Sequence, residues 1–284
     1  MKTKTSIFII TCLALLALFS GCKKDKDSIP TITMTTTISG NMSIGMAGSG
    51  TFSIDWGDGS AIETHTLQDY LVSWHYSPEY HLVHNFFREF SCTITITGEN
   101  ITHLKCDNNQ LTTLDVSKST SLKELYCNNN QLKNLNISKN TMLQILNCYG
   151  NQITILDVNK NTKLTELRCS MNQLTSLDVS YNTSLQILDC FANLLTSLDV
   201  GNNTLLWHLD CSGNELTRLD VSNNVELRQL LCTNNQMTSS ALDTLFETLN
   251  NNSGIKTIHI YNNSGTSGCN IKIAENKGWE VNAW

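Results

Sequence analysis

The sequence is poor in proline and in positive charge. Only 2 prolines occur among its 284 residues. Asparagine and threonine are abundant instead, which suits a chain made of many short strands and turns. Lysine and arginine number 19 against 25 acidic residues, so the formal net charge is −6. Because phosphate binding needs a positive surface, this charge argues against nucleic acid as the main partner.

Motifs that carry catalytic chemistry are also missing from the sequence. No Ser-His-Asp order, paired-acid motif, glycine-rich phosphate loop or metal signature falls on one predicted element. His208 and Asp210 lie on one predicted strand face, but no nucleophile accompanies them. We therefore expect no enzyme activity, no cofactor and no bound metal.

The segment over 1–21 has the features of a secretory signal peptide. Lys2 and Lys4 precede an apolar run over 7–19 that is too short to span a bilayer as a helix. Small residues follow, and then Cys22. Without this segment the chain has 17 basic and 25 acidic side chains, a net charge of −8.

The segment over 18–22, Leu-Phe-Ser-Gly-Cys, resembles a lipobox, although Phe19 departs from the usual small or aliphatic residue. The resemblance implies cleavage before Cys22, acylation of its thiol and anchoring in a membrane. Residues 22–30 are then a tether. Its Lys/Asp-rich run is similar to the signal that sends some lipoproteins to the outer face of the Gram-negative outer membrane. A generic solvated tether is the alternative interpretation.

Residues 31–98 have the pattern of a small β domain. Strand-like alternation occurs near 31–38 and 51–56, and again where Cys92, Ile94 and Ile96 fall on one face. The element Asp-Trp-Gly-Asp-Gly over 55–59, together with His-Asn-Phe over 84–86, resembles the polycystic-kidney-disease (PKD) domain. That resemblance implies an immunoglobulin-like β-sandwich that serves as a spacer or a binding module.

An insert within this domain concentrates histidines. His75, Glu79, His81 and His84 lie close together in sequence. A metal site is one interpretation. A polar loop is the other, and we favour it because no cysteine or second tight motif supports a metal.

Residues 99–238 contain a repeat in which leucine, cysteine and asparagine recur in phase, at the spacing that separates Cys106 from Cys127. One unit reads L-x-x-L-x-C-x-x-N-x-L from Leu122 to Leu132. This is the pattern of a leucine-rich repeat with cysteine in the third leucine position, and it predicts a parallel β solenoid. The cysteine column consists of Cys106, Cys127, Cys148, Cys169, Cys190, Cys211 and Cys232.

The 21-residue unit with its cysteine and its Leu-Asp-Val-Ser segment is similar to the internalin J type of leucine-rich repeat. The resemblance implies a surface adhesin. This resemblance and the patterns of the flanking segments predict a mainly β fold. We predict a leucine-rich-repeat parallel solenoid with an N-terminal immunoglobulin-like (PKD-like) β-sandwich and a helical C-terminal cap.

The columns also predict local chemistry. Neighbouring parallel strands are about 4.8 Å apart, which places identical inward cysteines too far apart and at the wrong angle for a disulfide. We therefore expect a reduced, buried thiol ladder. The asparagine column is expected to bond neighbouring backbone groups. A column of aspartates in the second half of the unit indicates either a solvated row of turns, which we favour, or a calcium site.

Residues 239–284 are predicted to form the C-terminal cap. The spacing of Leu242, Leu245 and Phe246 predicts an amphipathic helix with a capping box from Ser240 to Asp243. Ile255, Ile258 and Ile260 restore the strand pattern for one further strand, and a short helix is expected near 270–277.

Leucine and cysteine point inward in each repeat, so the residues between them face the concave surface. We predict a ligand-binding face there, composed of Tyr126, Ile145, Tyr149, Arg168, Ile187, Phe191, His208 and Tyr261. Exposed Tyr, Phe and Arg together are typical of binding hot spots. The predicted function is binding of a protein ligand by a monomeric surface lipoprotein. The alternatives are capture of a surface glycan, through aromatic faces that stack on sugars, and a purely structural spacer.

Overall fold

The computed structural model describes residues 29–67, 81–86 and 91–283, and for His81 it describes the backbone alone. The predicted signal peptide, the lipidation site Cys22 and most of the tether lie outside the described residues. So do His75, Glu79 and the side chain of His81. No helix in the described ranges is long and apolar enough to cross a membrane.

The N-terminal strands form two sheets together with the first repeat. The strands are β1 (Thr31–Thr36), β2 (Gly40–Gly48), β3 (Thr51–Asp55), β4 (Glu63–Thr66), β5 (His81–Phe86), β6 (Cys92–Gly98), β7 (Ile101–Lys105) and β8 (Leu111–Asp115). The smaller sheet is antiparallel, with the order β4-β3-β6-β1-β8. In β6, Cys92, Ile94 and Ile96 are all buried, as the alternation predicts.

The larger sheet runs through the repeats. Its further strands are β9 (Glu124–Tyr126), β10 (Ile145–Asn147), β11 (Glu166–Arg168), β12 (Ile187–Asp189), β13 (His208–Asp210), β14 (Gln229–Leu231), β15 (Thr257–His259) and β16 (Glu280–Asn282). The order from one edge is β16, β15 and so on down to β9, then β7, β2 and β5. From β7 to β16 every neighbouring pair is parallel, which confirms the predicted solenoid.

The first repeat belongs to both sheets. β7 pairs with β9 in parallel and with β2 in antiparallel orientation, while β8 pairs with β1. Hydrogen bonds of both sheets therefore cross the domain boundary predicted at residue 98. The buried side chains on the two sides of this boundary form one hydrophobic core. The N-terminal edge of the parallel strands is thereby paired, which removes a site of edge-to-edge aggregation. The PKD-like character of residues 31–98 stays a prediction.

The cysteines of the ladder are unpaired and fully buried, with 0% exposure at each of the seven positions. Burial raises the pKa of Cys148 and of Cys232 to about 12. A thiol with so high a pKa carries almost no thiolate at neutral pH and reacts slowly. The ladder therefore acts as a column of small hydrophobic side chains, as the repeat predicts.

The asparagine column bonds the backbone of adjacent repeats. Asn172 accepts a hydrogen bond from Ile153 N at 2.9 Å, and its amide donates to the carbonyls of Cys148 and Cys169 at 3.0 and 3.1 Å. The same bonds recur along the column at Asn151, Asn193, Asn214 and Asn235. Each amide thus connects its own turn of the solenoid to the preceding one, which confirms the predicted role.

A second asparagine column in the other half of the repeat was not predicted. Asn182 is fully buried and donates to the carbonyls of Val158 and Asn161 at 3.1 and 2.9 Å. Equivalent bonds are made by Asn140, Asn161, Asn203 and Asn224. Both halves of the solenoid are therefore held by amides that bridge adjacent turns.

The aspartate column forms turns. Asp178 Oδ1 accepts a hydrogen bond from the backbone N–H of Ser180 at 2.9 Å, an Asx turn. Bonds of the same kind occur at Asp115, Asn136, Asp157, Asp199 and Asp220. This confirms the row-of-turns interpretation.

The C-terminal segment contains α1 (Ser239–Thr248), a 3-10 turn at Thr266–Gly268 and α2 (Lys272–Glu275). α1 lies where the apolar spacing predicts a helix, and Leu242, Leu245 and Phe246 are buried. The predicted capping box was wrong, because the helix begins earlier, and Thr238 Oγ1 accepts a hydrogen bond from Ala241 N at 3.3 Å. That the segment acts as a cap stays a prediction.

Two details of this segment correct the predicted strand pattern. Ile255 is 85% exposed, although the pattern places it inward, and the neighbouring Lys256 is buried. Lys256 Nζ donates to the carbonyls of Asn252 and Lys277 at 2.6 and 2.8 Å. The segment also holds two strands, β15 and β16, where one was predicted.

Candidate binding face

The outward side chains of the parallel strands form one continuous surface. In each of β10 to β14 the middle residue is a fully buried leucine, and the two flanking side chains point to the other side of the sheet. We call this surface the sheet face. It contains the predicted site residues Tyr126, Ile145, Arg168, Ile187 and His208 within strands, while Tyr149, Phe191 and Tyr261 follow two residues after a strand.

An aromatic pair lies on this surface. The rings of Tyr149 and Phe191 are 6.0 Å apart between centroids and tilted by 48°. They come from repeats separated by one turn, and the intervening position is held by the small Ser170, whose hydroxyl oxygen accepts a hydrogen bond from Phe191 N at 3.1 Å. The rings can approach each other because the residue between them is small.

The predicted isoleucines do not join this pair in one apolar patch. In the strand register, Ile145 and Ile187 both pair with Glu166, which lies between them. The face therefore alternates apolar and charged positions. The predicted patch of Ile145, Tyr149, Arg168, Ile187 and Phe191 is a mixed surface with an aromatic pair next to an ion-pair cluster.

That cluster spans four strands. Arg168 binds Glu166 Oε1 through Nε at 2.6 Å and Asp189 Oδ2 through Nη1 at 2.7 Å. The other carboxylate oxygen of Asp189 lies 2.7 Å from His208 Nε2, and His208 Nδ1 lies 2.8 Å from Gln229 Oε1. We call these five residues the Asp189 network.

The network favours a protonated imidazole. Burial lowers the pKa of His208, but the hydrogen bonds to Asp189 and Gln229 and the charge of Asp189 outweigh it, so the pKa is raised above its ordinary value. Both ring nitrogens face oxygen acceptors, an arrangement that suits two N–H donors. Burial also raises the pKa of the adjacent Asp210, and the nearby charge of Asp189 adds to this effect.

Two predicted residues lie at the flanks of this region. Tyr126 donates a hydrogen bond to Glu124 Oε2 at 3.0 Å, two strands away from Arg168. Tyr261 follows β15, two strands beyond His208, and is 36% exposed.

The predicted binding residues do not include Asp189, which connects the network. The 21-residue spacing could have revealed it. Asp189 follows Arg168 by one repeat, and in a parallel stack residues one repeat apart are neighbours. A charged pair at that spacing on an outward position therefore predicts an ion pair.

The two motif pieces of the N-terminal unit contact each other. The His84 ring stacks on buried Trp56 at 4.5 Å between centroids, and His84 Nε2 lies 2.8 Å from Asp58 Oδ2. Trp56 Nε1 donates to Glu63 Oε1 at 2.7 Å. Hydrogen bonds from Ser60 and His84 lower the pKa of Asp58. These contacts give His84 a packing role, and no set of three or more metal-ligating side chains is found in the described ranges.

The geometry defines a class of protein: a leucine-rich-repeat solenoid with a cysteine ladder. The functional domain of InlJ from Listeria monocytogenes, reported to include a cysteine ladder, is similar, with 34% identity and a TM-score of 0.50. The similarity covers 64% of this chain and 43% of that one. At least one solved neighbour of this chain thus has a cysteine ladder as well.

Two other solved structures support the fold. A leucine-rich-repeat protein from Leptospira interrogans shares 24% identity, with a TM-score of 0.53 and coverage of 64% of this chain and 48% of that one. The internalin InlF from L. monocytogenes shares 22%, with a TM-score of 0.53 and coverage of 60% and 49%. The chain therefore spans less than half the length of each neighbour. No protein-family model and no curated protein matches it.

Proposed function

We propose that this protein is a non-catalytic surface lipoprotein that binds a protein ligand through the sheet face. The observation that carries the proposal is the position of the Tyr149–Phe191 pair beside the Asp189 network on one surface. Aromatic rings and arginine dominate the energy of protein interfaces when they lie together near the centre of a contact.

The scaffold favours such a role because it fixes these side chains before a ligand arrives. The backbone of Phe191 is bonded to the preceding repeat, with Phe191 O accepting from Met171 N at 2.9 Å. Arg168 is held by two carboxylates. A preorganised surface loses less conformational freedom on binding, and this raises affinity.

The proposal also includes a lipid anchor at Cys22. Acyl chains on Cys22 would hold the protein at the outer membrane, with residues 22–30 as the tether and the solenoid at the cell surface as a monomer. The lipobox-like segment and the Lys/Asp-rich run support this part. Radiolabelled palmitate should enter the full chain and fail to enter the Cys22→Ala variant. Equal labelling of both would contradict the anchor.

The ligand can be sought by site-directed photo-cross-linking of the full chain in the producing cells. A photoreactive amino acid at Tyr149 should link to a protein of defined mass, and the same probe at Tyr181 should not. Tyr181 is 60% exposed and lies outside the sheet face, so it is a matched control. The Phe191→Ala change should remove the adduct.

Adducts that form equally from both positions, or that survive Phe191→Ala, would contradict a protein ligand on this face. The alternative ligand is a surface glycan, because aromatic rings stack on sugars. A glycosidase-sensitive adduct without a polypeptide component would favour it.

A further inference from the structure

A groove separate from the sheet face lies on the rim where the parallel strands begin. It is lined by Gln186, Leu205, Trp207, Glu226 and Arg228 and has a volume of about 450 Å³. Gln186, Trp207 and Arg228 immediately precede β12, β13 and β14, so they stand on consecutive turns of the solenoid. Trp207 is 40% exposed, and its ring meets the His208 ring in an edge-type contact with 5.7 Å between the centroids.

The apolar residues of this groove are not required by the repeat. The positions equivalent to Trp207 in the preceding turns are Lys123, Gln144, Thr165 and Gln186. Leu205 is 48% exposed, where the neighbouring turns carry Ser184 and Glu226. Turns with polar residues at both positions fold in the same way. Packing between the turns therefore does not require the exposed indole and leucine.

The backbone that carries Trp207 is fixed on both sides. Trp207 N donates to Gln186 O at 3.0 Å, and Trp207 O accepts from Arg228 N at 2.9 Å. The indole therefore projects from a rigid position.

Three polar side chains surround the indole without internal partners. Within the described ranges, the amide of Gln186, the carboxylate of Glu226 and the guanidinium of Arg228 have no hydrogen-bond or ion-pair partner in the protein. Their donors and acceptors are thus available to a ligand, and their charges balance because Glu226 is negative and Arg228 positive.

We propose that this groove binds a neutral oligosaccharide, with one sugar ring stacked on Trp207. The apolar C–H face of a pyranose fits an exposed indole, while vicinal hydroxyls suit planar amide, carboxylate and guanidinium groups. The volume lies in the range of small-ligand sites, roughly 300–1,000 Å³. A stable protein interface buries about 800 Å² on each partner, far more than five side chains provide. The balanced charge favours a neutral sugar over a sulfated or phosphorylated one.

The test is isothermal titration calorimetry on the full chain, extracted in a detergent without a sugar headgroup. The probes are hexasaccharides of β-1,3-glucose, α-1,4-glucose, β-1,4-galactose and β-1,4-N-acetylglucosamine. At least one should bind, and Trp207→Gln should weaken it at least tenfold. Trp207→Tyr should retain most of the affinity, because a phenol ring can still stack.

The repeat itself supplies the folding controls. Glutamine already occupies the Trp207 position in two other turns, at Gln144 and Gln186, so Trp207→Gln should melt like the unmodified protein. The control variant is Tyr181→Asn, because Asn202 and Asn223 hold the equivalent positions. It removes another exposed aromatic and should leave the affinity unchanged.

The proposal is overturned if none of the four hexasaccharides binds at millimolar concentration. It is equally overturned if Trp207→Gln binds as well as the unmodified protein, or if Tyr181→Asn lowers the affinity to the same extent. Trp207→Gln could also keep its sugar affinity and lose the protein adduct formed from Tyr149. That result would overturn the proposal and show that the groove belongs to a protein interface.

Discussion

Asp189 and His208 lie on adjacent parallel strands, with 2.7 Å between the carboxylate Oδ1 and the imidazole Nε2. The same carboxylate holds Arg168 through its other oxygen. Because Asp189 is buried while Arg168 remains partly exposed, the carboxylate fixes the orientation of a cation that a ligand can reach. One residue thereby organises the charged half of the sheet face.

Replacing Asp189 with asparagine should lower the pKa of His208. The variant removes the negative charge and the charge-assisted hydrogen bond that favour the imidazolium, whereas the burial that opposes it remains. We expect a loss of unfolding free energy of about 1.5–3 kcal/mol, the usual range for a hydrogen bond to a charged group. NMR titration of the His208 ring measures the first effect and denaturant unfolding the second. Glu215→Gln, an exposed change outside the network, should alter neither.

The stability of the solenoid should decline as the pH rises through the pKa of His208. The folded-state pKa is raised above the unfolded value, so the contribution of this group is complete below the unfolded pKa. It is lost as the pH passes the folded pKa. Urea unfolding across this interval should show the decline, and His208→Gln should flatten it. An unchanged slope in that variant would assign the effect to another group.

Acid should destabilise the turns for the opposite reason. Hydrogen bonds from Ser180 and Ser222 lower the pKa values of Asp178 and Asp220. Their contribution is therefore present above the ordinary aspartate pKa of about 4 and is lost as the pH falls through the lowered values. Asp178→Asn keeps an oxygen acceptor for the Asx turn, and its melting temperature should depend less on pH in this range. The pH dependence of the melting temperature of the unmodified protein is the reference.

The rate of thiol labelling should distinguish the ladder cysteines from Cys269. Burial raises the pKa of Cys269 as it raises that of the ladder thiols, so the difference lies in access: the ladder thiols are fully buried, whereas Cys269 is partly exposed. In the native protein a maleimide should modify Cys269 before the ladder, which becomes accessible only through opening of the solenoid. Peptide mass mapping after a short pulse gives the order. Rapid labelling of Cys169 under native conditions would contradict a closed core.

The repeat columns were sufficient to predict the solenoid, its inward leucines and cysteines, and the outward positions of the sheet face. Each of these depends on a period that is visible in the sequence itself. The exposure of Ile255 and the burial of Lys256 could not be predicted in that way. Lys256 is buried because carbonyls from Asn252 and Lys277, which are separate in the chain, converge on its ammonium group.

The connection between the N-terminal unit and the repeats also lay beyond the sequence pattern. Strand β1 pairs with β8 of the first repeat, so that Thr35 lies opposite Thr113, a partner far away in the chain. Alternation predicts that a segment is a strand and does not name its partner. Trp207 lies outside the predicted binding face for a simpler reason: that face contains only residues between the inward columns, whereas Trp207 occupies the rim position just before a strand.

The asparagine ladder should be among the most sensitive elements of the fold. Asn172→Ala removes the acceptor of Ile153 N and the donors to the Cys148 and Cys169 carbonyls, all of them buried. Leaving buried polar groups without partners costs about 1–3 kcal/mol each, so we expect a loss of roughly 2 kcal/mol or more in unfolding free energy. Asn134 is an exposed asparagine of the same solenoid. Asn134→Ala should cost at most about 0.5 kcal/mol, which is typical of surface changes. Urea unfolding of both variants measures the difference. A cost at Asn172 equal to that at Asn134 would mean that the amides fill space in the stack without holding its turns together.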